Sequence, residues 1–189
     1  MHRPESSLHP HWLATLSPRE RPHGSGKRFH TYVVMTEKGQ MPEKNDEASW
    51  SSYESPAGFF RIRYPPDWSP SREENILNLF PPWGTGAVTV SAFGRSSADP
   101  VPLKDLLLRS FREAQPLSEL NTLAVNNWAG WNQEFRTREQ SADLHWIAVA
   151  AEAGKAFLLI TAYDLPNSMA EHKPTYLKII RSLEIRPPS

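Results

Sequence analysis

"DLHWIAVAAEAGKAFLLITAYD" runs from Asp143 to Asp164, and its reading decides the fold. Within it, 144–151 and 156–163 read as two strands that are apolar in both phases. Leu144, Trp146, Ala148 and Ala150 alternate with Ile147, Val149 and Ala151. A strand of this kind is covered on both faces. Ala153-Gly154-Lys155 between the halves reads as a short hairpin turn, so the two strands run antiparallel. Two helical patterns elsewhere in the chain supply one cover for each face. The expectation is an α+β fold: an antiparallel sheet of about seven to eight strands with two main helices, a three-layer α/β/α sandwich.

Working outward, "SWSSYES" (49–55) and "GFFRIRY" (58–64) read as strands, the second with Phe60, Ile62 and Tyr64 on one face. Tyr64-Pro65-Pro66 ends that strand, because proline offers no ladder N–H and holds the preceding residue extended. Trp68 is then expected to fold back over the sheet edge as a core plug. "NILNLF" (75–80), closed by Pro81-Pro82, and "GAVTVSAFG" (86–94) are the next strands. At 102–115 the period changes: Leu103, Leu106, Leu107, Phe111 and Ala114 fall at helical spacing after Pro102. Strands follow at 119–125 and 128–138, and a second helix at about 167–183. Pro174 interrupts that helix, which therefore either starts near 171–173 or kinks at the proline.

The 189 residues carry 21 basic and 21 acidic side chains, a net charge of zero that gives no global support for nucleic-acid or anionic-lipid binding. There is no cysteine, which excludes disulfides, thiolate nucleophiles and Cys-ligated metals. No run is long and apolar enough for a membrane span, and the first residues lack the apolar stretch of a secretory signal. Residues 1–49 hold five prolines and five of the seven histidines, with few clustered apolar residues outside "TYVVM" (31–35). They read as a disordered tail ahead of a globular domain at 50–189. Met35 and Met41 leave open a later translation start.

Catalytic and metal chemistry find little footing. "WGTGAV" (83–88) has the glycines of a phosphate loop but feeds a strand rather than a helix N-terminus, so it reads as a turn. His145 lies near Asp143 and Ser141, without the strained nucleophile turn of a hydrolase triad. It reads as a satisfied histidine. "HPHW" (9–12) lacks further ligands for zinc. On strand 128–138, Asn132, Glu134 and Arg136 share a face and read as solvated, opposite Trp131, Gln133 and Phe135. Trp83, Phe93 and Trp131 form the candidate interaction set: a loop tryptophan after two prolines, a phenylalanine that alternates with Thr89 and Ser91 on the more polar face of its strand, and the tryptophan of strand 128–138.

"GFFRIRYPPDW" (58–68), "ILNLFPP", "VTVSAF", one amphipathic helix, the long hairpin and a last helix ending "IIRSLEI" together resemble the PsbP-like/Mog-type superfamily over about residues 50–186. That superfamily includes extrinsic photosystem II proteins, Ran-binding Mog proteins, DcrB-type lipoproteins and Eag-type secretion chaperones. The resemblance implies a sandwich that binds proteins rather than an enzyme, an inference by analogy of fold. The chain has no lipobox cysteine, its N-terminal segment does not resemble a transit sequence, and no Ran-binding motif matches. The expected function is a non-enzymatic protein-binding module, a chaperone or adaptor for one protein partner, cytoplasmic, with no cofactor and no metal. An immunity-type or secretion-associated protein is the first alternative. A small hydrolase or ligand-binding enzyme using the sheet face, with Glu134, Arg136 and His145, is the second. Formation of a homodimer is left open.

Overall fold

In the computed structural model, residues 47–94, 101–139, 142–153 and 156–186 are described. The expected tail lies outside them, apart from its last three residues. Glu47–Ser49 form a 3-10 turn whose Glu47 carbonyl accepts from the Trp50 N–H and from the Arg63 guanidinium.

The strands are β1 (Ser51–Glu54), β2 (Phe60–Tyr64), β3 (Ser69–Glu73), β4 (Ile76–Phe80) and β5 (Ala87–Gly94). Helix α1 (Leu103–Ser110) follows, then β6 (Gln115–Pro116), β7 (Asn121–Val125), β8 (Trp128–Glu139), β9 (Ala142–Ala153) and β10 (Ala156–Asp164). Helix α2 (Pro166–Arg181) and β11 (Glu184–Ile185) end the described chain. Eight strands form one antiparallel sheet in the order β3-β4-β5-β10-β9-β8-β6, with β7 also paired to β8. The hairpin of the opening stretch lies at its centre, in a register that sets Leu158 against Ala151 and Ile160 against Val149.

Register assigns the faces. Val88, Val90, Leu158, Ile160, Ala162, Ile147, Val149 and Ala151 point one way and pack on Met169, Tyr176, Ile179 and Ile180 of α2. The opposite face takes α1, whose C-cap residue Phe111 stacks on Phe135 at 4.6 Å and meets Trp146 edge-on at 5.7 Å. The sandwich is thus α1, sheet, α2, as the doubly apolar hairpin requires.

The structure differs from the expectation at four points. β1 and β2 do not join the main sheet; with β11 they make a three-stranded sheet of their own, its buried face being Phe60, Ile62 and Tyr64. β3, "SPSRE", is exposed throughout and, among the described residues, pairs only with β4. It has no apolar alternation to announce it, because an outer edge strand needs none, and its proline and charge guard that edge. Helix α2 is continuous from Pro166 with Pro174 inside it, so the late start near 171–173 does not occur. Pro174 and Ala170, whose carbonyl loses its N–H partner, are both exposed, and water can replace the missing bond. Helix α1 stops at Ser110, short of the expected 115, where the chain turns into β6 ahead of Pro116. The corner at Tyr64 behaves as expected: the Trp68 N–H bonds the Pro65 carbonyl and the indole is 4% exposed.

Candidate interaction site

Strand β10 ends at Asp164, which continues the α2-facing series of Leu158, Ile160 and Ala162. An acid on that face needs partners, and α2 begins two residues later to supply them. His172 and Tyr176, one turn apart, lie on the helix face that also buries Met169, Ile179 and Ile180. The Tyr176 hydroxyl donates to Asp164 Oδ2 at 2.8 Å, and His172 Nδ1 lies 2.7 Å from the same oxygen. Asp164 Oδ1 accepts the Leu165 N–H at 2.8 Å. The carboxyl is fully buried and both its oxygens are bonded, which is what tolerates a buried acid. Burial, and then the Asp164 carboxylate beside it, push the Tyr176 hydroxyl far above the ordinary tyrosine range; a hydrogen bond with Trp83 pulls weakly the other way.

The turn between β4 and β5 closes over this network. Gly84 and Gly86 have φ of +83° and +75°, the left-handed region open to glycine. A Cβ on Gly86 would meet the Tyr176 hydroxyl at 2.3 Å and the Tyr163 carbonyl at 2.6 Å. So "WGTGAV" is a turn, and its second glycine is required by close approach to the buried tyrosine. The turn sets Trp83 flat on His172, with ring centres 4.1 Å apart, and edge-on to Trp68 at 5.4 Å. Trp83 remains 39% exposed. Phe80, at the end of β4, is 40% exposed, and Leu165, just past the end of β10, is 39% exposed. All three lie at the same end of the sheet, since Leu79 pairs with Val88 and Ala87 with Tyr163.

Phe93 and Trp131 lie elsewhere. Phe93 is at the other end of β5, about 20 Å from the Trp83 turn at strand rise. It is 37% exposed, stacks on Phe157 at 5.1 Å, and borders a small cleft with Tyr53, Phe59 and Ile76. Trp131 is on β8, with the Lys104 ammonium 5.8 Å from its ring centre. The three aromatics therefore do not make one patch.

A second polar cluster sits two strands away. His145 Nε2 is 2.8 Å from Glu134 Oε2, and the Lys173 ammonium donates to Glu134 Oε1 at 2.6 Å. Burial pushes the Glu134 carboxyl up, but Lys173 and His145 together outweigh it and hold it below the ordinary glutamate value of 4.5. Register makes Glu134 a diagonal neighbour of His145, which pairs with Arg136. The partner of His145 is thus Glu134, not Asp143; Arg136 points to solvent, and Ser141 lies outside the described residues. Among the described residues no group of three or more His, Asp or Glu is arranged to hold a metal ion.

No family model matches the sequence, and no curated protein matches it. Solved structures do. The solution structure of cyanobacterial PsbP (CyanoP) from Synechocystis superposes with a TM-score of 0.60 at 10% identity, over 78% of this chain and 98% of that one. The fold is PsbP/Mog-like. The Ran-binding protein Mog1p of Saccharomyces cerevisiae gives 0.52 at 8% identity, over 73% of this chain and 96% of that one. A Bacteroides thetaiotaomicron protein gives 0.53 at 19% identity over 71% of this chain, which spans 48% of that longer one. At these identities the likeness is one of fold. Among the described residues no helix is long and apolar enough to cross a membrane.

Proposed function

We propose that this PsbP/Mog-like chain is a non-enzymatic protein-binding module, a chaperone or adaptor for one partner, with its contact surface centred on Trp83. One observation carries the reading: an indole that is 39% exposed yet held flat on His172, above a buried Asp164–Tyr176 pair. An aromatic fixed before the partner arrives loses little side-chain entropy on binding, and such side chains dominate interface energies. Exposed Phe80 and Leu165 extend the apolar area at that end of the sheet. The Ran-binding activity in the name of the yeast protein of like fold is consistent with a protein partner for this one. A cytoplasmic location belongs to the same proposal.

The test is affinity capture on the immobilised full chain from a lysate of the organism that encodes it. Leu165→Asp should abolish retention of a specific protein that the unaltered chain and Phe93→Ala both retain. Retention unchanged by Leu165→Asp, or lost only with Phe93→Ala, would remove the Trp83 end of the sheet as the contact surface.

A further inference from the structure

The main sheet has two outer edges, and they differ in composition. At one, β3 carries Pro70, Arg72 and Glu73, the residue types that keep a free edge from pairing. At the other, two short strands lie along β8. β6 ends in Pro116, whereas β7, "NTLAV", contains no proline and no charge. Among the described residues β7 pairs only with β8. Its outward backbone groups follow from the hairpin. Val125 and Trp128 flank the two-residue turn Asn126-Asn127, where Asn126 has φ of +47°. The pair that closes such a turn exchanges both its hydrogen bonds, and so does every second pair along the ladder. Asn121, Leu123 and Val125 therefore bond inward to β8, and Thr122 and Ala124 point their N–H and C=O groups outward.

The side chains along this edge are apolar at its middle and charged at its ends. Leu123 and Val125 are half-buried and pack, with Leu177 of α2, against the main core. Register puts them on the α2 side, since Leu123 pairs with Gly130 and Gly130 with Ala151. Glu119, two residues before β7, is exposed. Arg181 is exposed at the opposite end, where its carbonyl accepts from Asn126 Nδ2 at 3.2 Å. Among the described residues neither Glu119 nor Arg181 makes an ion pair.

We propose that β7 is the contact strand of a homodimer, pairing antiparallel with β7 of a second copy across a twofold axis at Leu123. The outward groups set the register. Thr122 pairs with the partner's Ala124, and Ala124 with the partner's Thr122, so both outward residues of each copy are used. A slip of one residue would demand bonds from Leu123, whose groups are already spent on β8. Leu123 then meets the partner's Leu123 at the axis, with Cβ atoms about 4.5–5.5 Å apart. The antiparallel run carries Glu119 of each copy toward the other's hairpin turn, and so toward the partner's Arg181. The edge is thus complementary to itself, as a twofold contact requires, and a net charge of zero sets no repulsion between copies. A contact made mainly by one short strand buries less than the roughly 1,200 Å² of a stable complex, so the dimer forms reversibly as concentration rises through the micromolar range. The Trp83 turn stays uncovered, because β10, β9 and β8 stand between β5 and β7. The inference is independent of the proposed partner surface.

The test is sedimentation equilibrium of the full chain from low micromolar to millimolar concentration, with amide hydrogen exchange read residue by residue at both limits. The mass should rise from one chain toward two. Thr122 and Ala124 should gain protection with concentration, whereas Leu123 and Val125 should be protected throughout. Ala124→Pro removes an outward N–H that β8 does not use, so it should abolish the dimer and keep the fold. Ala124→Lys, which places a charge on the edge without altering the backbone, should do the same. Glu119→Arg should weaken association about tenfold, and adding Arg181→Glu to that variant should restore it. A single chain at every concentration, a dimer indifferent to both Ala124 variants, or a charge exchange that restores nothing would overturn the proposal.

Discussion

His145 with Glu134 and His172 with Asp164 are both imidazole–carboxylate pairs at nearly the same distance, 2.8 and 2.7 Å, the first joining β9 to β8 and the second joining α2 to β10. Their surroundings make them different. Glu134 and His145 stay partly exposed, and Lys173 joins them at the rim of an open cleft. Asp164 is sealed by Tyr176 from within and roofed by the Trp83 turn. The first is a hydrated ion cluster, whose net worth to the fold is small. The second is a buried network that must be complete, because each polar group removed strands another without water. The difference is one of position on the sheet: β10 is central, whereas β8 lies beyond the helix.

Substitutions around the sealed pair should therefore cost far more than substitutions in the open one. Trp68 touches Trp83 and Tyr176 edge-on and is itself buried. Trp68→Ala should lower unfolding free energy by about 3–5 kcal/mol in a denaturant titration. Gly86→Ala should cost about 3 kcal/mol, since the added methyl meets the bound Tyr176 hydroxyl and the backbone has φ of +75°. A loss as small as that of an ordinary surface change would show that the turn does not seal the network.

Tyr176→Phe should cost about 1–2 kcal/mol, leaving one oxygen of Asp164 with His172 alone. It also carries a pH signature. The folded-state value of Tyr176 is raised, so the stability linked to it is fully present below the ordinary tyrosine value of 10 and is lost as pH rises above it. Melting temperature measured from pH 8 upward, to about pH 11, should fall less steeply in the variant. Tyr163, raised by burial and then by Glu139 and Asp164, keeps part of the slope.

The open pair should respond least and on the other side of the scale. Glu134 is held below 4.5, so its contribution is present above that value and fades as pH falls through the folded-state value. Glu134→Gln should cost under about 1 kcal/mol at neutral pH and flatten the acid limb of the stability curve. A cost equal to that of Tyr176→Phe would erase the distinction between the two pairs.

The sequence made some of this legible. Residues 143–164 announce a central hairpin because both phases are apolar, and Trp68 announces a plug by following two prolines. β3 escapes because an exposed edge carries no apolar period, and the separate β1-β2-β11 sheet escapes because β2 finds β11 more than 120 residues away. Glu134 and His145 are each noticeable, yet only the strand register joins them. The Asp164 network left a signal that could have been read. An acid extends the apolar series 158, 160, 162, and a histidine and a tyrosine stand at i, i+4 on the buried face of the next helix. Trp83 and Phe93 are only ten positions apart in the sequence, yet Trp83 stands in the turn before the eight-residue strand β5 and Phe93 near its far end.

That separation allows the most direct test of the proposed binding role. The affinity of the captured partner would be measured for the unaltered chain, Trp83→Ala and Phe93→Ala, each first shown to be folded at the assay temperature. Loss of its stack on His172 should cost Trp83→Ala about 1–2 kcal/mol of stability. Partner binding by Trp83→Ala should weaken by 2 kcal/mol or more, about thirtyfold, and that of Phe93→Ala should be unchanged. Full affinity in Trp83→Ala would contradict the account and leave the aromatic stack a feature of the fold alone.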